Sequence, residues 1–356
     1  MRTLLALLIL VISVNVFAAK PGGNFYFNLG QEPTSLNPLT ATDAYSSRVH
    51  SYTLESLLDR NIDTYEWEPL LAEKWEISKD KLTFTFYLRK GVKWHDGKPF
   101  TAEDVKYSFD ALRSGKWNTA HLKPYIEGIE SCTVVDPHTV KFKAKKKLYA
   151  NFDYVASGIL TIVPKHIYAP AEGDKKKTRK LNKKIIGTGP YKLGKLEKGK
   201  KLTLIKNKDW WGNGVKKNEY NFKKMVMRFV KESNIALEML KKGKIDYEGL
   251  DAESYMKKAK GKEWGKSVFK VKTNNKAPKG YNFIGWNLKN KVLKDKNVRV
   301  ALSHLVNREL MNEKFKFNMD VLATGPVYPS NYFASDKVKP IPFNTKKALK
   351  VLRKAG

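Results

Sequence analysis

Between Lys81 and Arg113 the chain changes its hydrophobic period twice. Leu82, Phe84, Phe86 and Leu88 alternate with Thr83, Thr85 and Tyr87. Successive side chains of a strand point to opposite faces, so this spacing predicts a half-buried strand. Gly91 interrupts the run, and Trp94-His95-Asp96-Gly97 closes on an Asp-Gly pair suited to a tight turn. Thr101 then stands three residues before Asp104, a capping box with Asp in place of Glu or Gln, and Val105, Phe109 and Leu112 follow at helical spacing. Strand, turn and helix are therefore expected in that order.

The same reasoning extends along the chain. Asn24–Leu29, Lys201–Ile205 and Met225–Val230 read as strands, and 131–143 as a hairpin about Asp136-Pro137-His138-Thr139. Gly30–Pro38 reads as a loop stiffened by two prolines, and Ile159–Val163 is a β-branched run ending at Pro164. Helices are expected over Ser46–Leu58, over Asn234–Lys242 with a stop at Gly243, over Asp295–Arg308 and over Thr345–Gly356. In the third of these, Val298, Ala301, Leu302 and Leu305 share one face and should pack. Glu172–Lys184 carries seven Lys or Arg and almost no apolar side chain, which predicts an exposed loop.

Composition narrows the class. With 356 residues, 42% hydrophobic, and 17 Tyr, 17 Phe and 8 Trp, the chain can build two or more packed domains. Arg2, the apolar run Leu4–Val14 and the small residues around Val16-Phe17-Ala18-Ala19 describe an export signal over residues 1–19. That apolar run is short for a membrane span. No cysteine stands near the cleavage site, which argues against a lipid anchor and for the periplasm. Cys132 is the single cysteine, so no intramolecular disulfide is possible, and it is expected to be buried and inert. The formal net charge is +33, from 68 Lys+Arg against 35 Asp+Glu. The lysines are spread along the whole length, the pattern of a solvated basic surface and not of a specific nucleic-acid reader.

Catalysis finds no support. The six histidines, His50, His95, His121, His138, His166 and His304, are scattered without zinc-ligand spacing, and no Gly-x-Ser-x-Gly elbow occurs. His95 beside Asp96 sits in a turn. Gly189 to Leu196 imitates a phosphate-binding loop, but Leu196 replaces the hydroxyl that would hold magnesium and Pro190 removes an N–H. No cofactor and no metal are expected.

The wording of several blocks is more specific. The run Leu88 to Val105 (LRKGVKWHDGKPFTAEDV) closely resembles a signature of the extracellular solute-binding proteins of the oligopeptide, dipeptide and nickel ABC importers, family 5. Further blocks resemble that family in the same order: Glu32-Pro33-Thr34-Ser35-Leu36-Asn37-Pro38, Trp67–Ile77, Ile186–Leu193, Asn207–Trp211, Gly285-Trp286-Asn287, Asp295–Arg308 and Thr345–Gly356. The resemblance implies an α/β, periplasmic-binding-protein-like fold of two lobes with an extra small α+β domain. It also implies that the second lobe is incomplete, because family members are considerably longer and carry an acidic anchor for a peptide amino terminus in their C-terminal portion.

On that plan residues 20–60 and 185–270 form the first lobe, 61–184 the inserted small domain, and 271–356 the start of the second lobe. Gly187, Gly189 and Pro190 mark a close crossing between lobes. The implied function is capture of short peptides in the periplasm and delivery to a membrane permease, by a monomer. Candidate ligand contacts are Glu32 and Thr34 in the first lobe, Tyr125 in the small domain, and Trp286 with Asn287 beyond. Nickel-chelator or haem capture within the same family is the alternative, and a truncated interaction protein that does not transport is another.

Overall fold

The computed structural model describes residues 22–216, 219–275, 277, 279–328 and 334–355. The expected export signal over 1–19 lies outside them. The chain divides into two compact units: 1–57 with 70–231, and 58–69 with 232–356.

In chain order, strand β1 (Asn24–Asn28) leads to helix α1 (Ala44–Thr53) and the short strands β2 (Leu58–Arg60) and β3 (Trp67–Pro69). Strands β4 (Ala72–Ile77) and β5 (Thr83–Leu88) precede helices α2 (Ala102–Arg113) and α3 (Lys123–Ile126). The hairpin β6 (Ile129–Asp136) and β7 (Thr139–Ala144) is followed by α4 (Ala150–Ala156), α5 (Lys165–Tyr168) and α6 (Lys175–Leu181). Strands β8 (Tyr191–Glu197), β9 (Lys201–Lys206) and β10 (Lys224–Arg228) follow. Helices α7 (Ser233–Lys241), α8 (Lys296–Leu305), α9 (Arg308–Lys316) and α10 (Thr345–Ala355) close the sequence of elements.

The first unit holds two four-stranded sheets. One has the order β4-β5-β7-β6, antiparallel throughout. Its β5 alternates as the sequence pattern requires, with Phe84, Phe86 and Leu88 buried. Helices α2 and α4 cover that face through aromatic contacts: Phe152 lies 5.6 Å from Phe86, and Phe109 lies 5.8 Å from Phe142. Cys132, on β6, is buried, and burial pushes its thiol pKa far up, which leaves it unreactive.

Asp104 knits this layer together. The carboxylate accepts from the Thr101 N–H at 3.0 Å, closing the helix start, and also from Trp94 Nε1 at 3.2 Å and the Lys165 N–H at 2.9 Å. A residue chosen as a cap thus also anchors the turn before the helix and a segment sixty residues later. Burial raises its pKa despite these donors.

The second sheet has the order β1-β10-β9-β8, with β1 parallel to β10 and the other pairs antiparallel. Its core face carries Phe27, Leu202, Leu204, Met225 and Met227, against which α1 places Val49. Gly194 and Lys195 belong to β8, so the imitation of a phosphate-binding loop is a strand carrying a bulge.

The second unit contains the ribbon β2–β3, in which the Arg60 guanidinium stands 3.5 Å from the Trp67 ring centre. Helices α8 and α10 pack through Ala301 and Ala348, both fully buried. His304 donates from Nδ1 to the Pro342 carbonyl at 2.7 Å, and Arg308 donates to the carbonyls of Ala323 and Ile341.

Several expectations need correction. Glu172–Lys184 is not a loop: Asp174 accepts from the N–H groups of Lys176 and Lys177 and starts α6, a helix with no buried residue. Helix α1 ends at Thr53, four residues before the buried Leu57. The helix expected over 295–308 breaks after Leu305, because Asn307 caps α9 by accepting from the Leu310 N–H at 3.0 Å. Leu305 is consequently exposed, while Ala301 and His304 carry the packing. Ile159–Val163 is buried at Leu160, Ile162 and Val163 but joins no sheet.

Candidate functional site

The segment Gly187–Pro190 is irregular backbone of the first unit that is held from two sides. Gly189 donates its N–H to the Thr53 carbonyl at 3.1 Å, where α1 ends. A Cβ at Gly189 would sit 2.8 Å from the Thr53 carbonyl carbon, and one at Gly187 would overlap the Thr53 carbonyl oxygen. Only glycine permits two backbones this close. On the other side His95 grips the same segment. Its N–H donates to the Gly187 carbonyl at 2.8 Å, its Nε2 donates to the Gly189 carbonyl at 3.0 Å, and its Nδ1 accepts from the Gly187 N–H at 3.1 Å.

Because a backbone N–H can only donate, Nδ1 is the acceptor and Nε2 carries the proton. Burial, with a smaller contribution from nearby Lys192, pushes the His95 pKa down to about 4, against the pull of the Gly189 carbonyl, so the ring is neutral. Asp96 is not its partner. The Asp96 carboxylate accepts from His166 Nε2 at 2.7 Å instead. An acid–base pair between adjacent residues 95 and 96 therefore does not form; His95 is a structural clamp.

Beneath the crossing lies a buried carboxylate that the sequence did not single out. Glu55 Oε1 accepts from Trp210 Nε1 at 2.9 Å, and Trp211 Nε1 reaches both carboxylate oxygens, at 3.1 and 3.0 Å. The Thr188 side chain is also bonded to it. Asn207 extends the network, donating from Nδ2 to the Gly189 carbonyl at 3.2 Å and from its N–H to the Pro190 carbonyl at 2.8 Å. The Arg89 guanidinium stands 4.0 Å from the Trp211 ring centre. Burial raises the Glu55 pKa to about 7, although the Trp210, Trp211 and Thr188 bonds and the charge of Lys216 favour the ionised form. The Asn207–Trp211 block was visible as family wording. Its meeting with Glu55, some 155 residues away, was not.

The expected contacts fall differently. Glu32 accepts from the Gly199 N–H at 2.6 Å, tying the first loop to the β8–β9 turn. Thr34 donates from its hydroxyl to Asp43 at 2.5 Å, and Asp43 also accepts from the Ser46 N–H and hydroxyl at the start of α1. Burial works against the Asp43 charge, but these hydrogen bonds outweigh it and hold the carboxyl below its usual range. Tyr125, on α3, is exposed and meets Tyr154 edge-on at 5.3 Å. In the other unit Trp286 is half-buried, and Asn287 Oδ1 accepts from the Lys289 N–H at 3.0 Å, a turn-forming bond. Glu32 and Thr34 thus brace the β1-β10-β9-β8 sheet and α1. Among the described residues, no group of three or more His, Cys, Asp or Glu is placed to hold a metal ion, and no helix is long and apolar enough to cross a membrane.

Comparison with known proteins places this architecture. The fold is that of the periplasmic binding proteins, mixed α/β with several sheets. A periplasmic binding protein of Helicobacter pylori associated with an ABC transporter, DppA in complex with the peptide STSA, superposes with a TM-score of 0.78 at 25% identity, over 95% of this chain and 67% of that one. NikZ of Campylobacter jejuni, in complex with Ni(L-His), gives 0.74 at 26% identity, over 94% of this chain and 63% of that one.

A profile of the bacterial extracellular solute-binding proteins, family 5 Middle, matches residues 66–356, and the chain belongs to that family. Among its relatives, the oligopeptide-binding protein AppA of Bacillus subtilis is 29% identical over 344 residues, 95% of this chain and 61% of AppA. The dipeptide-binding protein of Escherichia coli is 27% identical over 366 residues, 97% of this chain and 66% of that protein. The chain therefore spans less than two thirds of these relatives' length.

Proposed function

We propose that this chain is a substrate-binding component of an ABC importer, capturing short peptides in the periplasm for delivery to a membrane permease. The observation that carries this is the family profile over residues 66–356, joined to relatives described as peptide-binding. In such a mechanism ligand stabilises one conformation of the binding protein, which the permease then recognises. A bound peptide is held through its main chain as an added strand, while its side chains enter roomy pockets.

We assign Glu32, Thr34, Tyr125, Trp286 and Asn287 as ligand contacts, and Gly187, Gly189 and Pro190 as the crossing between lobes. The domain plan stays as the sequence implies it: 20–60 with 185–270, 61–184 inserted, and 271–356. The protein acts as an exported monomer after loss of residues 1–19, and performs no catalysis.

The test is a thermal-shift series with peptides of two to nine residues. Ligand that binds only the native state raises the melting temperature by mass action. An unmoved melting temperature at millimolar peptide refutes the assignment. NikZ motivates a second reading, capture of a nickel–histidine chelate. It is favoured if Ni(L-His) raises the melting temperature and the peptides do not.

A further inference from the structure

Glu55 lies at the meeting of three segments: the end of α1, the crossing 187–190, and the Trp210–Trp211 pair after β9. We propose that Glu55 is a proton-linked positioning residue, a latch that holds the crossing segment differently in its ionised and protonated forms. This goes beyond the transport reading and does not depend on which ligand is bound.

The geometry gives the reason. An ionised carboxylate only accepts hydrogen bonds, and Glu55 is surrounded by donors: two indole N–H groups and the Thr188 hydroxyl. Indole N–H cannot accept. When Glu55 takes up a proton, its new O–H must find an acceptor, and of these three partners only the Thr188 hydroxyl can serve. The Thr188 bond then reverses direction, and one carboxyl oxygen turns away from Trp211, whose N–H now shares both. Thr188 is buried between Gly187 and Gly189, whose backbones touch Thr53 and His95, so a change at its hydroxyl is delivered to the crossing itself.

The surrounding charges are few. Lys216 favours the ionised form and pairs loosely with Glu219 at 3.9 Å. Arg89, over the Trp211 ring, is neutralised by Glu73 at 3.1 Å. Lys192 pairs with Asp209 at 3.8 Å, and His95 is neutral above pH 5, its pKa being about 4. None of them supplies a full counter-charge in contact with Glu55. A carboxylate left to indole and hydroxyl donors in a buried site titrates close to neutrality, with a midpoint at about 7.

The experiment uses the full chain and infrared difference spectroscopy between pH 5.5 and 8.5, with tryptophan fluorescence recorded in parallel. A carboxyl C=O band that disappears with a midpoint near pH 7, is matched by an emission change and is absent from Glu55→Gln, supports the latch. A carboxyl band that persists unchanged in Glu55→Gln, or no band in the wild type, overturns it. Two further variants keep the test decisive if Glu55→Gln fails to fold. Trp211→Phe removes one donor to the ionised form and Lys216→Gln removes the nearby positive charge, so each should move the midpoint upward by roughly one pH unit. A merely structural role for Glu55 predicts no emission change that follows the shifted midpoint. An unmoved or lowered midpoint in both variants overturns the proposal.

Discussion

Gly187→Ala tests the close crossing most directly. The added methyl would occupy the space of the Thr53 carbonyl oxygen and come within 2.9 Å of Leu54 Cδ2. Gly187 is not in the left-handed region, so conformational strain contributes nothing and the whole effect is steric. The obstructing group is backbone at the end of α1, which cannot rotate aside. The segment must back away from Thr53, and its bonds stretch: His95 N–H to the Gly187 carbonyl, 2.8 Å, and Gly187 N–H to His95 Nδ1, 3.1 Å. Overpacking of this kind costs about 1–3 kcal/mol and each weakened bond about 1 kcal/mol, so a loss of roughly 3 kcal/mol is expected. For a unit of this size that corresponds to a fall in Tm of about 6–12 °C.

Calorimetry of Gly187→Ala beside Gly158→Ala provides the measurement, because a Cβ at Gly158 meets nothing within 4 Å. The control should stay within about 0.5 kcal/mol of the wild type. Equal melting of the two variants would falsify the contact between the crossing and α1.

Asp104→Ala removes the acceptor shared by Trp94, Thr101 and Lys165, leaves buried donors unmet, and should cost about 3 kcal/mol in urea unfolding. A loss under 1 kcal/mol would show that the carboxylate only caps α2. Stability should also follow pH with opposing signs. Burial lowers His50 and His95 to about 4, so each contributes stability that is present above the unfolded value near 6.5 and is lost as pH falls toward 4. Glu55, raised to about 7, contributes stability present below its unfolded value near 4.5 and lost as pH rises through 7. Glu55→Gln should therefore gain about 2 kcal/mol more than the wild type between pH 5 and 6.5, and parallel curves would contradict that accounting. In limited chymotryptic digestion the first cuts should fall at Phe269, Tyr281 and Phe283, which are 65%, 45% and 76% exposed, while 83–113 resists; the opposite order would count against the burial pattern.

Much of the local structure was legible in the sequence because it depends on near neighbours. Alternation in 82–88 decided that β5 buries Phe84, Phe86 and Leu88. Gly243, with positive φ, and the polar residues before α2 decided where helices stop and start. The same local rules failed where a cap or a close contact intervened: Asp174 turned a basic stretch into α6, and Asn307 divided one expected helix into two. Family wording implied the fold class and contained Trp210 and Trp211 without giving them a role, while Glu55 lay outside those blocks.

What the chain could not express in linear order is which distant groups share a buried space. Spacing along the sequence fixes the face a side chain occupies, not the element that faces it. Only the tertiary structure brings Thr53, His95 and Asn207 onto the 187–190 backbone, and only burial there separates a neutral imidazole from a carboxylate poised near pH 7. Desolvation and convergent hydrogen bonds decide those charges, and both come into being when the segments meet.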